Sequence, residues 1–227
     1  MKASPITELR RKQAVRTAAA KRSPGNGIQS QVLGFKKGVI LSVAARLFFR
    51  HGYTATTLDD IAAELGVTKP FIYSHFESKQ DILTQLFYRT MDESLAAFQD
   101  FDPEGQPAAE GLRELAVRFV RVVIAARDGV GFFWRGDKDV PPLDIRRARA
   151  FKSAFEKPFL AVIGRGVDSR EFRPVDGPVV MRCIEGMIHW IYVWYQTDGR
   201  LSAEEIANEI AALVVNMVVN RPGFRRG

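Results

Sequence analysis

Residues 57–79 read TLDDIAAELGVTKPFIYSHFESK, and this stretch decides the fold. Thr57, followed three residues later by Asp60, has the spacing of a capping box and opens a helix. Leu58, Ile61, Ala62 and Leu65 then recur at i, i+3, i+4 and i+7, an apolar stripe of helical period. Gly66 stops that helix. Thr68 caps a second short helix to about Phe76, and Pro70 is tolerated in its first turn. Ser78 to Asp81 repeats the capping pattern and opens a long helix to roughly Gln99. Two short capped helices joined across Leu65-Gly66-Val67-Thr68 have the form of a helix-turn-helix. The glycine permits the tight turn, and the second helix can enter a DNA major groove N-terminus first.

Working outward, nearly every periodic segment is helical. Residues 36–51 place Ile40, Val43, Ala44 and Leu47 on one stripe, closed by His51-Gly52. A helix is expected at about 107–127, then a segment rich in Gly, Pro and charge at 129–142. Another helix, bent or broken near Pro158, is expected from about 143 to Asp168. Gly177-Pro178 opens a strongly apolar helix to Gln196, and Ser202 to Glu205 caps a last one to about 220. No strand-like alternation of useful length and no repeat appears. The expected class is all-α with about nine helices. Three regions are expected: a basic, flexible N-terminal arm at 1–35, a helix-turn-helix domain at 36–80, and a second helical domain at 81–227.

The charge is divided unevenly. Of 33 Lys and Arg and 26 Asp and Glu, residues 1–37 hold nine basic and one acidic, a net of +8. The remaining residues hold 24 basic and 25 acidic, a net of −1. Residues 38–90 hold five of each and are neutral. Affinity for a phosphate backbone scales with the phosphates neutralised, so the arm is expected to supply much of the salt-dependent affinity. A single cysteine, Cys183, excludes an internal disulfide framework and a zinc site built on several thiolates. The apolar run Gly186–Tyr195 is too short to span a bilayer, and no secretory apolar region opens the chain. A soluble cytoplasmic protein is expected. His51, His75 and His189 have no ligand spacing to Cys183, so neither a metal nor a catalytic cluster is expected, and no cofactor is implied.

The run from Thr57 to Lys79, with Ala44-Ala45-Arg46-Leu47-Phe48 and His51-Gly52-Tyr53 before it, resembles the DNA-binding domain of the tetracycline-repressor (TetR) family. Pro70 departs from it, since the family more often carries glycine or a small residue there. Thr68, Lys69, Pro70 and Phe71 lead the recognition helix, from where Thr and Phe can touch thymine methyls and Lys can reach guanine acceptors. Thr57, at a helix N-terminus, can meet a phosphate. Tyr73 is similar to the family tyrosine that seats the helix on the backbone, and Lys79 to its phosphate-contacting lysine. Ser74 and His75 complete the candidate set, with Lys36 and Lys37 behind them.

The resemblance implies that the C-terminal helices bind a ligand and form a homodimer suited to a palindromic operator. Ile184, Ile188, Ile191, Ile210, Leu213 and Met217 are the expected interface, and Phe119, Val123, Phe155, Phe159, Met187 and Trp190 the expected pocket lining. The pattern Gly186-Met187-Ile188-His189-Trp190, with Gly166, Arg170 to Arg173 and Asp176, looks like the TetR subgroup controlling fatty-acid, phenylacetate and steroid breakdown. Members of that subgroup are released from DNA by acyl-CoA thioesters. Residues 127–173 hold 11 basic and 7 acidic groups, which suits a phosphate-bearing ligand. The expectation is a repressor released by an acyl-CoA-like molecule. A multidrug-type repressor with a buried acid, Glu185, beside aromatics is the alternative; an architectural DNA-binding protein without ligand is a third reading.

Overall fold

The computed structural model describes residues 24–129 and 144–220, which fall into two units, Met1–Ile40 and Leu41–Gly227. Residues 1–23 of the expected arm, most of the 129–142 segment and the end of the chain lie outside the described residues. Nine helices are present among those described: α1 (Pro24–His51), α2 (Leu58–Leu65), α3 (Lys69–Tyr73), α4 (Lys79–Ala96), α5 (Ala108–Ala125), α6 (Ile145–Asp168), α7 (Gly177–His189), α8 (Ile191–Trp194) and α9 (Ala203–Val218). Among the described residues there is no strand, only an isolated bridge between Phe172 and Val219.

Helix α1 starts at Pro24, twelve residues before its expected start at 36, and crosses from the first unit into the second. The arm expected to be flexible to residue 35 is therefore helical from Pro24 onward; proline at the first helical position already has the required φ. In the first unit Ile28, Val32, Phe35 and Val39 are exposed along one face.

The second unit holds two cores. In the N-terminal one, Leu41, Ala44, Leu47 and Phe48 of α1 join Ile61 of α2, Ile72 of α3, Phe76, and Ile82 and Leu83 of α4, all buried. The C-terminal core is built on α5, α6, α7 and α9, with α9 packed most extensively along α5. Helix α6 runs unbroken through Pro158, contrary to the expected break. The apolar helix expected to reach Gln196 is interrupted at Trp190, between α7 and α8.

The α6–α7 turn fastens this core. The Phe172 ring, 1% exposed, lies so close to Gly166 that a β-carbon there would sit 2.2 Å from it. Arg170 takes φ 61°, in the left-handed region, to allow that return. The Glu171 carboxylate accepts Ala108 N at 2.9 Å and Ala109 N at 2.7 Å. It thereby caps α5, whose own N-cap, Pro107, offers no side-chain acceptor. The Arg173 guanidinium donates to Met217 O at 3.0 and 2.6 Å, closing the C-terminal end of α9.

Candidate DNA-binding and effector site

The recognition helix is placed by its caps. The Thr57 hydroxyl accepts Asp60 N at 3.1 Å, and the Asp60 carboxylate accepts Thr57 N at 2.8 Å, the reciprocal pair of a capping box. The Thr57 hydroxyl and then its backbone N–H, both donating to the Asp60 carboxyl, hold that group below the usual carboxylate range. Thr57 donates its hydroxyl hydrogen to Asp60 as well, so it is engaged with its own helix. Gly66 ends α2 at φ 66°, and Val67 N reaches back to Ala62 O at 3.0 Å. This left-handed turn sets α3 against α2.

From α3 the side chains divide cleanly. Thr68, Lys69, Pro70, Tyr73 and Ser74 are exposed, Phe71 and His75 half-buried, and Ile72 fully buried. Thr68 makes no cap bond to its own helix. Lys69 donates to Asp59 at 2.7 Å, which raises the lysine's pKa. Phe71 stacks on His75 with centroids 4.6 Å apart, and Phe71 O accepts from both Ser74 Oγ and His75 Nδ1. The sequence-read candidates from Thr68 to His75 thus share one small helix and its C-terminal turn. Lys36 and Lys37 lie on α1 in the first unit, the former exposed and the latter half-exposed.

Lys79, which the resemblance makes a phosphate contact, is bonded within the module. Its ammonium donates to Tyr53 O (2.8 Å), Thr54 O (3.3 Å) and Thr56 O (2.8 Å), and sits 4.3 Å from the Tyr53 ring centre. All three N–H donors are committed to the turn between α1 and α2, and burial lowers the lysine's pKa. Lys79 thus ties the start of α4 to the helix-turn-helix.

A cavity of about 510 Å³ opens among α4, α5, α6 and α7. Helix α4 contributes Phe87, Met91 and Ser94, and α5 contributes Phe119, Val122 and Val123. Phe151, Lys152 and Phe155 come from α6; Arg182, Glu185 and His189 from α7. Three of the six expected lining residues, Phe119, Val123 and Phe155, are on this wall. Phe159 lies fully buried behind it, Met187 packs on the core outside the lining, and Trp190 is 59% exposed. Helical period explains Met187, which points away from the face of α7 that carries Arg182, Glu185 and His189, while Trp190 lies past the helix end.

The polar wall is a linked cluster. Arg182 bridges Glu156, at 2.8 Å, and Glu185, and Lys152 stands 3.8 Å from Glu156. Desolvation raises the Glu185 carboxyl. His189 donates Nδ1–H to Glu185 O at 2.9 Å, and burial pushes its pKa down to about 4, so the ring is neutral at pH 7. Sequence reading missed Ser94, Lys152, Glu156 and Arg182. Ser94 carries no local signal in the sequence, and the three charged residues read as solvated helix faces. A second cavity of about 360 Å³ lies beside it, where Leu86, Arg89, Thr90 and Glu93 of α4 meet Ala45 and the end of α5. Helix α4 therefore borders both cavities and starts at the recognition module.

The expected interface residues mostly face inward. Ile184, Ile188 and Ile191 are 0% exposed, Ile210 is buried and Met217 is packed on the core. They fill the subunit's own interior, so a partner cannot reach the three isoleucines. Only Leu213, at 55%, stands out to solvent. Val179, Cys183 and Gly186 of α7, with Trp190 just past its end, form an exposed stripe at i, i+4, i+7 and i+11. Among the described residues no helix is long and apolar enough to cross a membrane, and no group of three metal-binding side chains occurs.

A capped helix-turn-helix on a helical domain with its own aromatic cavity defines a DNA-binding, ligand-responsive transcriptional regulator. Residues 40–86 match the family described as bacterial regulatory proteins, tetR family. Residues 105–218 match the tetracyclin repressor-like C-terminal domain, and the chain belongs to the TetR family. It is 26% identical over 193 residues to the HTH-type transcriptional repressor KstR2 of Mycolicibacterium smegmatis, covering 83% of this chain and 93% of that protein. A TetR/AcrR-family regulator from Thermobifida fusca is 32% identical with a TM-score of 0.61, covering 84% of this chain and 99% of that one. AibR, solved with isovaleryl coenzyme A and operator DNA, is 26% identical with a TM-score of 0.61, covering 81% and 97%.

Proposed function

We propose that this regulator is a cytoplasmic repressor that binds a palindromic operator as a homodimer and is released by an acyl-CoA thioester. The observation that carries the reading is the cavity of about 510 Å³, walled by Phe87, Phe119, Phe151 and Phe155 and rimmed by Lys152 and Arg182. An acyl group fits the aromatic interior, and the basic rim suits the phosphates of CoA. The relatives named KstR2 and AibR support a repressor and a CoA thioester ligand respectively. Helix α4 lines the cavity with Phe87 and Met91 and is pinned to the DNA-binding module through Lys79, so a ligand that displaces α4 displaces α3. Thr68, Lys69, Pro70, Phe71 and Tyr73 then supply base and backbone contacts, with Ser74 and His75 at the helix end. The exposed stripe of α7, with Trp194 of α8 and Leu213 of α9, replaces the inward isoleucines as the dimer surface.

The multidrug alternative needs a buried acid available to a cation. Glu185 is on the cavity wall, but Arg182 already neutralises it. Both readings are separated by a gel shift on the DNA upstream of the protein's own coding region, titrated with acyl-CoAs, the free acids and lipophilic cations. Release by CoA thioesters is expected. Release by cations alone, or failure to bind any duplex at low salt, would defeat the proposal.

A further inference from the structure

Inside its basic rim, the aromatic cavity turns hydrogen-bond acceptors toward a ligand. We propose that the enclosed part of the effector is a ring or short chain bearing a hydroxyl group. The inference rests on the thioester reading above and adds a substrate class to it.

Ser94 is 7% exposed and lies on the cavity wall. Its hydroxyl hydrogen is donated to Thr90 O at 2.7 Å, which leaves Oγ with lone pairs only. Glu185 presents a carboxylate to the same cavity, with a side chain 12% exposed. A carboxylate offers about four acceptor positions, and Arg182 approaches it from one side. The donors of the lining stand at its rim or turn back into their own helix. Arg182 is shared between Glu156 and Glu185, Lys152 stands against Glu156, and both cations are about half exposed at the rim. His189 turns its Nδ1–H back to Glu185 O in its own helix. The remainder of the described wall is aromatic or aliphatic.

A ligand skeleton enclosed there meets Phe119, Phe155 and Met91 without penalty. A keto or ether oxygen beside Ser94 Oγ and the Glu185 carboxylate sets acceptor against acceptor and gains no bond. A hydroxyl donates to either. A hydrogen bond to a charged acceptor in a desolvated site is worth roughly ten- to a hundred-fold in affinity.

Calorimetry on the full chain tests this with cyclohexanecarbonyl-CoA, its ring-hydroxylated isomers and its ring-oxo isomers, together with the corresponding free acids and cyclohexylammonium. At least one hydroxylated isomer should bind about ten- to a hundred-fold tighter than the plain and oxo compounds. Glu185→Gln, which adds an N–H donor, should narrow that preference and improve binding of the oxo isomers. Ser94→Ala, which leaves the Arg182 cluster untouched, should narrow the preference for the hydroxylated isomer over the plain compound as well. Equal binding of plain and hydroxylated thioesters overturns the inference and leaves the thioester reading standing. Preference for hydroxylated free acids, with no thioester bound, keeps the inference and removes the thioester reading. Binding of cyclohexylammonium alone, or of no compound, overturns both.

Discussion

His189 shows how one residue type read from sequence acquires a function from its surroundings. Its ring faces Phe119 edge-on with centroids 5.0 Å apart, and desolvation pushes its pKa down to about 4. In the unfolded chain the same ring titrates near 6.5. Between those values the unfolded state binds more protons than the folded state, so stability falls as the pH falls through that window. The full displacement corresponds to about 3 kcal/mol. Glu185 works in the opposite direction, because its raised carboxyl favours the folded state toward acid. Comparison with His189→Gln therefore isolates the histidine. In urea unfolding at pH 7 and pH 4, the variant should lose less stability than the parent, by a margin approaching that figure. Equal losses would show that the ring is not buried as described.

At the scale of elements, the capping boxes at Thr57 and Ser202 were legible because each lies within four residues, and both are formed. What the sequence concealed was tertiary. Helix 178–196 is apolar nearly all round, so periodicity could not say which face was inside. Packing puts Ile184, Ile188 and Ile191 inward and leaves Trp190 and Trp194 exposed. The α1 start was hidden because Gly25, Gly27, Gly34 and Gly38 interrupt residues 24–39 and read as linker residues, although Ile28, Val32, Phe35 and Val39 keep a helical spacing. The segment from Gly166 to Asp176 drew notice as a family pattern, and the structure supplies its physics. Phe172 seats on Gly166, Glu171 caps α5 from more than sixty residues away, Arg173 closes α9, and Asp176 caps α7. Its pattern is thus a fastening of the domain, separate from the cavity wall. Glu171→Ala should destabilise the chain by about 1–2 kcal/mol, the usual cost of a lost N-cap, while operator affinity of the folded protein stays unchanged. Thermal unfolding and a gel shift check both halves. An unaltered midpoint would mean that Ala108 N and Ala109 N are satisfied without the carboxylate.

For the molecule as a whole, charge partition sets the terms of DNA binding. The module from 38 to 90 is neutral by count, and its cations are largely engaged within it. Lys69 pairs with Asp59, Arg46 with Glu64 and Arg89 with Glu93, while Lys79 is held by three carbonyls. Pairs this exposed contribute little to stability, but each leaves less positive charge facing a phosphate backbone. The base-reading surface of α3 therefore supplies register and sequence preference, and the general electrostatic attraction must come from elsewhere. Residues 1–23 carry seven basic residues and one acidic, a net of +6, against +7 for the entire chain. A truncation beginning at Pro24 keeps α1 intact and removes nearly all of that excess. The logarithm of the operator association constant falls with the logarithm of salt concentration by close to one for each phosphate neutralised. The truncated protein should show a shallower slope by several such steps, with weaker binding at low salt and an unchanged ranking of operator variants. The measurement is fluorescence anisotropy across a salt series on one operator and its point variants. A slope equal to that of the full chain would remove the arm from the binding mechanism, and a changed ranking would mean that the arm reads sequence as well as charge.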